Sequence, residues 1–274
     1  MRKINFGIIG CGYISQKSVI PAIFSYEESK LIAVTDIDPE KMKKTSIHYE
    51  VEQEENYRAL LKRNDIDAVY IATPIGSHAE ICIEAANNGK HILCEKSLAA
   101  NFNEVDQIIK AVKRNNVAIL EGFMYQYHTQ HQLVSKLINE NSIGDPVHFS
   151  AKFGFPPLGK QNFRYNKEMG GGALLDAGAY TVHAARKIFD KEPIKVEATL
   201  NTKDKKVDIH GNVLLDFGKE TASLTFGFDN FYQNTYSVWG TEGMITLTRA
   251  FSIPASFNPL LILEKQNYKE ELKL

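Results

Sequence analysis

The chain has 274 residues, longer than one common domain of about 100–200 residues, and its 43% hydrophobic and 24% charged content excludes a disordered or low-complexity protein. Lys plus Arg (32) and Asp plus Glu (33) leave a net charge of −1, so no global field draws the chain to nucleic acid or to an anionic membrane, and an anionic ligand must be met locally. No apolar run approaches the ~18 residues of a membrane span, and Cys11, Cys82 and Cys94 lack CxxC spacing, which points to reduced, buried thiols in the cytoplasm rather than to a disulfide or metal framework.

In chain order, "KINFGIIG" reads as a buried strand, followed by a helix from about Ile14 that Pro21 is expected to kink or break. "KLIAVTD" is a second strand. "DPEKMKKTSIHY" opens a helix with Asp38 as its cap and Pro39 in its first turn. A short helix at "YRALLKR" precedes the strand "DAVYIATP", the helix "HAEICIEAANNGK", the strand "HILCEK", the helix "FNEVDQIIKAVKRNN" and the strand "VAILEG". Apolar strands alternating with amphipathic helices predict parallel βαβ units, so residues 1–121 are expected to form a doubly wound α/β sheet of Rossmann type.

After about Gly122 the pattern changes. The helix "HQLVSKLINENSIG", the strand "DPVHFSAKFGF" and the glycine-rich helix "GGGALLDAGAYTVHAARKIF" are followed by the strands "IKVEATLN", "VDIHGNVLLDF", "ETASLTFGF" and "NTYSVWGTEGMITLT". Turn residues between consecutive strands predict an open, mainly antiparallel sheet, so residues 122–274 read as an α+β domain. No linker separates the halves, and a ligand cleft is expected where they meet.

Gly10-Cys11-Gly12-Tyr13-Ile14-Ser15 is G-x-G-x-x-S between a strand and a helix. The first glycine permits a tight turn, the second lets backbone approach a pyrophosphate, and the helix N-terminus offers free N–H groups. A bare strand-to-helix turn is the plainer reading. Asp36, closing the next strand, can accept from an adenosine ribose, or it merely ends the strand or caps a helix.

"GIIGCGYIS", "AVTDIDPEK", "DAVYIATPIGSHAEICIEAANNGKHILCEKSLA" and "GGGALLDAGAYTVHAARKIF", in that order, resemble the glucose-fructose oxidoreductase and inositol dehydrogenase (Gfo/Idh/MocA) family over nearly the whole chain. "EGFMYQYHTQH" and "NFRYNKEMGGGALLDAGAY" most resemble its branch of sugar ketoreductases and dimeric dihydrodiol dehydrogenases. The resemblance implies hydride transfer between a nicotinamide and a carbohydrate carbonyl or alcohol, with a nucleotide-linked keto-deoxysugar as one candidate. It implies cofactor contacts from Gly10, Gly12, Tyr13, Ile14, Asp36, Thr73, Pro74, His78, Glu95 and Lys96, and substrate contacts from Tyr125, Arg164, Asp176 and Tyr180.

The chemistry needs a proton donor beside the hydride. Lys96 follows a parallel strand, where doubly wound sheets place ligands; its ammonium can stabilise charge on a carbonyl oxygen and lower a phenol's pKa. Tyr180, four residues after Asp176, stands where the family often has histidine and is the candidate acid. Helical spacing puts Asp176 on its face, placed to orient substrate or Lys96. Each has a plainer reading: Tyr180 as a half-buried aromatic, Lys96 as a solvated loop residue, Glu95 as a loop cap, His78 as a helix cap and Arg164 as a surface ion pair. Gln126 and Thr129 stand where relatives commonly have arginine and proline, so Arg164 is expected to compensate. His128 and His131 lack a further ligand at metal spacing, so no metal is expected.

Asp36 followed by Ile37 favours NAD(H), while Lys41, Lys43 and Lys44 keep NADP(H) open. Phe226, Phe228, Phe231, Tyr232, Tyr236 and Trp239 crowd the second sheet, and alternation is expected to leave some on its outer face, as the interface of a homo-oligomer, dimer or tetramer. The chain ends soon after "ILEKQNYKEELKL", where relatives continue with a helical segment, so the C-terminus is expected to be either short by nature or lost. Two rival functions stay open. An NAD-dependent glycosidase would copurify with NAD and release an aglycone without net redox change, and a noncatalytic NAD(P)-binding regulator would oxidise nothing.

Overall fold

In a computed structural model, the structure describes residues 2–159, 161–203, 206–254 and 257–273. The chain divides into two compact units: residues 1–122 with 168–170, and residues 123–167 with 171–274.

The first unit contains β1 (Ile4–Ile9), α1 (Ile20–Ser25), β2 (Ser29–Thr35), α2 (Pro39–Tyr49), β3 (Glu52–Gln53), α3 (Tyr57–Leu61), β4 (Ala68–Ile71), α4 (His78–Asn87), β5 (His91–Cys94), α5 (Phe102–Asn115) and β6 (Ile119–Glu121). The sheet order is β3-β2-β1-β4-β5-β6, with every pair parallel. This is the doubly wound arrangement that the strand-helix alternation predicts, and it puts a topological switch point between β1 and β4. β4 is buried along its whole length, as a central parallel strand covered on both faces must be.

Pro21 does not break the first helix. A π turn over Ser15–Val19 runs directly into α1, with Pro21 in the first turn of α1. The Ile20 N–H donates to the Ser15 carbonyl, and this wide turn absorbs the proline's missing donor.

The second unit contains α6 (Thr129–Asn139), β7 (Pro146–Gly154), α7 (Ala179–Phe189), β8 (Lys195–Lys203), β9 (Val207–Asp216), β10 (Thr221–Gly227), β11 (Gln233–Gly240), β12 (Gly243–Leu247), β13 (Leu260–Lys265) and β14 (Tyr268–Lys273). The sheet order is β14-β13-β12-β11-β7-β10-β9-β8, antiparallel except for the pair β7 and β10. The sequence reading assigned no strand to the β13–β14 hairpin.

Alternation in β9 sends Val207, Ile209, Val213 and Leu215 inward, and the core they join includes Phe149, Leu224 and Val238. The expectation that alternation leaves some of the six aromatics on the outer face is met by Trp239, while most of the six lie elsewhere. Phe226, Phe228 and Tyr236 are buried in the core; Phe226 and Tyr236 share the parity of the inward residues of their strands, and Phe228 follows directly after β10. Tyr232 carries the Arg249 guanidinium over its ring, and Phe231 lies between β10 and β11. Of the six, Trp239 stands outward on a strand, 58% exposed, and Phe231 is 85% exposed. A register row of Ser223, Ser150, Ser237 and Thr246 makes much of that face hydroxylic.

Among the described residues, no helix is long and apolar enough to cross a membrane. Cys11, Cys82 and Cys94 are free and buried.

Candidate active site

The glycine loop leaves the buried end of β1. Gly10 has φ +104°, and a Cβ there would lie 2.8 Å from the Ala72 carbonyl oxygen, so only glycine lets the loops after β1 and β4 pack this closely. At Gly12 the same construction meets no atom within 4 Å. That open backbone, at the entry to a helix, fits the close approach of a dinucleotide's pyrophosphate. Ser15, standing where the motif often has a third glycine, is wholly buried and donates its hydroxyl to the Gly10 carbonyl at 2.6 Å. Tyr13 is exposed beside Lys17, whose Nζ is 2.6 Å from the phenol oxygen, and Ile14 is half-buried.

Asp36 is committed to backbone as well as available to a ligand. Its Oδ2 accepts from Cys11 N–H at 2.6 Å and its Oδ1 from Asp38 N–H at 2.8 Å, so one carboxylate joins the glycine loop to the turn before α2. Two acceptor oxygens retain capacity for further bonds. The neighbouring Ile37 is 99% exposed and brings no charge. Burial pushes the Cys11 thiol up to about 11, which keeps it protonated and unreactive at neutral pH.

The loop carrying Lys96 is held through several neighbours. The Tyr70 hydroxyl donates to Glu95 Oε1 at 2.7 Å, and the Leu98 N–H donates to Glu121 Oε1 at 2.8 Å. His78 lies between Ser97 O and Thr73 O, each 2.8 Å from a ring nitrogen. This corrects the expectation that His78 contacts cofactor: the side chain is wholly buried and both nitrogens face backbone carbonyls. It is not a helix cap either. Burial, aided by the Lys96 charge, holds its pKa below the ordinary histidine value, against the pull of the two carbonyls.

Thr73 Oγ1 accepts from the Ser77 hydroxyl at 2.8 Å, and Pro74 directly precedes the turn Ile75–Ser77. Against that turn lies Glu168–Gly170: a Cβ on Gly76 would sit 2.6 Å from the Glu168 carbonyl oxygen.

In the second unit, a π turn over Leu174–Gly178 leads into α7. Asp176 is buried and paired with Arg164, Nε to Oδ2 at 2.5 Å and Nη2 to Oδ1 at 3.4 Å. Arg164 is therefore no freely solvated cation; its guanidinium also covers the Phe163 ring at 4.6 Å. Tyr180 is 6% exposed, ringed by Phe153, Phe123, Tyr125 and Phe251 with centroids 5.2–5.9 Å away, and its hydroxyl is 3.9 Å from Met124 Sδ.

Tyr125 meets a residue that sequence reasoning missed. Its hydroxyl lies 2.6 Å from His183 Nδ1, and Phe123 stacks on the same imidazole at 4.1 Å. Burial raises the Tyr125 pKa and, with Lys187 and Arg186 adding repulsion, lowers that of His183 to about 4, so the phenol donates to a neutral ring. The available signal was the spacing of three from Tyr180 to His183 on one helix. Gln126 accepts from Lys187 at 3.0 Å, His128 caps α6, and His131 turns inward to the Tyr236 hydroxyl and the Ala250 carbonyl.

The first unit thus carries the glycine loop, Asp36, Thr73, Pro74, His78, Glu95 and Lys96, and the second carries Tyr125, Arg164, Asp176 and Tyr180. Residues 4–123 match the model of an oxidoreductase family with an NAD-binding Rossmann fold, and residues 131–246 match the GFO/IDH/MocA C-terminal domain. The chain belongs to the Gfo/Idh/MocA oxidoreductase family. It is 35% identical to a dTDP-3,4-didehydro-2,6-dideoxy-alpha-D-glucose 3-reductase of Saccharopolyspora spinosa, over all of this chain and 83% of the relative. It is 32% identical to a D-xylose 1-dehydrogenase (NADP(+)) of Haloferax volcanii, over 90% of this chain and 77% of that protein.

A solved 3-ketoreductase from Actinomadura kijaniata, in complex with NADP and TDP-benzene, superposes with a TM-score of 0.93 at 33% identity, covering 100% of this chain and 85% of its own. That ketoreductase has also been solved with a tyrosine changed to phenylalanine and with a lysine changed to alanine or to glutamate.

Proposed function

We propose that this chain is a sugar ketoreductase: it transfers hydride between NAD(H) and the carbonyl carbon of a nucleotide-linked keto-deoxysugar, with Tyr180 as proton donor and Lys96 assisting. The observation that carries the reading is the Lys96 loop, a cation mounted on backbone that the buried His78 touches and Glu121 holds. Reduced nicotinamide, when bound, supplies the hydride. The Tyr180 hydroxyl gives its proton to the carbonyl oxygen and is reprotonated from solvent, while the Lys96 ammonium stabilises negative charge gathering on that oxygen.

Gly10, Gly12, Tyr13, Ile14, Asp36, Thr73, Pro74 and Glu95 hold the cofactor, and Tyr125, Arg164 and Asp176 shape the sugar site. That a tyrosine and a lysine are the residues changed in the Actinomadura ketoreductase supports the choice of Tyr180 and Lys96. In this reading residues 1–121 form the cofactor domain and 122–274 the substrate domain, and the protein works in the cytoplasm. The outer face of the second sheet, with Trp239 and Leu214 exposed, pairs two copies. Asp36 beside uncharged Ile37 sets a preference for NADH, because a carboxylate repels a 2′-phosphate.

The test is oxidation of NADH and NADPH with a dTDP-linked 3-keto-2,6-dideoxyhexose, followed at the nicotinamide absorbance. Turnover with a higher kcat/KM for NADH is expected. No turnover, with release of a chromogenic aglycone from a glycoside instead, would replace the reading by a glycosidase, and a preference for NADPH would overturn the role given to Asp36.

A further inference from the structure

His78 is the first residue of α4, and its side chain has no exposed surface. Its Nδ1 is 2.8 Å from the Ser97 carbonyl oxygen and its Nε2 2.8 Å from the Thr73 carbonyl oxygen. Both partners are main chain, and they belong to the loops that follow two adjacent parallel strands, β4 and β5. A contact to a carbonyl fixes the path of a loop rather than the rotamer of one side chain. Carbonyl oxygens only accept, whereas a neutral imidazole has one N–H and an imidazolium two. A neutral ring donates to one of these loops and turns a lone pair toward the other, whereas an imidazolium donates to both.

We infer that His78 is a positioning residue: its imidazole sets the separation between the Thr73 turn and the Lys96–Ser97 loop, and so aims the Lys96 ammonium. The inference rests on the role proposed above for Lys96. Two side observations agree with it. The N–H of the peptide group that carries the Ser97 carbonyl, on Leu98, donates to Glu121 Oε1, so the peptide that follows Ser97 is held at its carbonyl and at its amide. The Thr73 side is braced as well, by the Ser77 hydroxyl bound to Thr73 Oγ1. With both loops braced, the ring acts as the spacer between them.

The test compares wild type with His78→Leu, which removes both polar contacts, and His78→Gln, whose amide keeps a donor. Rates with the dTDP-linked 3-keto-2,6-dideoxyhexose are measured using NADH and NADH deuterated at the transferred position, alongside the Kd for NADH and the melting temperature. Misaiming the cation is expected to lower kcat by about 10- to 100-fold in His78→Leu, with KM and Kd changing by less than about threefold, and to raise the deuterium isotope effect as hydride transfer becomes rate-limiting. His78→Gln is expected to recover part of the loss.

Variants that melt earlier but keep the wild-type kcat and isotope effect would overturn the inference, leaving His78 a core residue only. If His78→Leu does not fold, kcat and the isotope effect of His78→Gln decide between the same outcomes. A wild type that turns over nothing defeats the functional reading itself, and the inference with it, whereas active wild type beside unaffected variants defeats the inference alone.

Discussion

The two units secure their candidate groups by different physics. In the parallel-sheet unit, buried and half-buried polar side chains grip the main chain of loops: Ser15 holds Gly10, Asp36 holds Cys11 and Asp38, His78 touches Thr73 and Ser97, and Glu121 holds Leu98. In the second unit the phenols of Tyr125 and Tyr180 sit among rings, and Arg164 pairs with Asp176. Changing a loop-gripping residue removes little volume but re-aims a backbone; changing an aromatic opens a cavity. The first kind of change should register in kinetics and the second in stability.

The largest expected effect lies on the loop side. Lys96→Ala should lower kcat by about 10²–10⁴-fold, the usual worth of a group acting directly on a reacting proton or charge, with the melting temperature nearly unchanged. Steady-state kinetics alongside thermal unfolding checks both halves, and a large loss of stability with kcat intact would reverse the assignment.

On the aromatic side, Phe226 is 2% exposed in the second unit's core, and Phe226→Ala should cost about 3–5 kcal/mol of that unit's stability. Urea unfolding measures it, and NADH affinity under native conditions should stay near wild type.

Two histidines of the second unit add a pH dependence. Burial lowers His131 and His183 to about 4, below the ordinary value near 6.5 that the unfolded chain shows. Between those values the unfolded state binds more protons, so stability is complete above about pH 6.5 and falls as the solution is acidified toward 4, by at most about 1.4 kcal/mol per pH unit for each ring. Unfolding followed from pH 7.5 to 5 should show the decline, and His183→Phe should flatten it; an equal slope in the variant would remove His183 from the account. The smallest effect is expected from Ser15→Ala, about 1 kcal/mol through loss of one buried hydrogen bond, read as a several-fold weaker NADH affinity.

Much of the first unit was legible because its signals are local: β4 is buried along its length, and a glycine at positive φ ends β1. The features that escaped depend on distant chain. The burial of His78 is created by carbonyls at Thr73 and Ser97, and nothing in "IGSHAE" shows that a ring at the start of a helix will be enclosed by two loops. The parity of Phe226 and Tyr236 was decided by register, with Phe226 paired to Phe153 and Tyr236 to Ala151 on β7. Strand β14 escaped because "YKEELK" is an edge strand rich in charged residues, buried at no position, and lacks the apolar pattern that marks a strand. Candidate residues could be named from motif and resemblance, but the contacts that hold them could not.

The claim that Tyr180 supplies the proton is tested most directly by a single-turnover measurement on Tyr180→Phe. Enzyme preloaded with NADH is mixed with the dTDP-linked 3-keto-2,6-dideoxyhexose, and loss of nicotinamide absorbance is followed by stopped flow. The account predicts hydride transfer slower by about 10²–10⁴-fold with NADH affinity and melting temperature retained. Transfer at the wild-type rate, with a full isotope effect showing that chemistry is being observed, would contradict it.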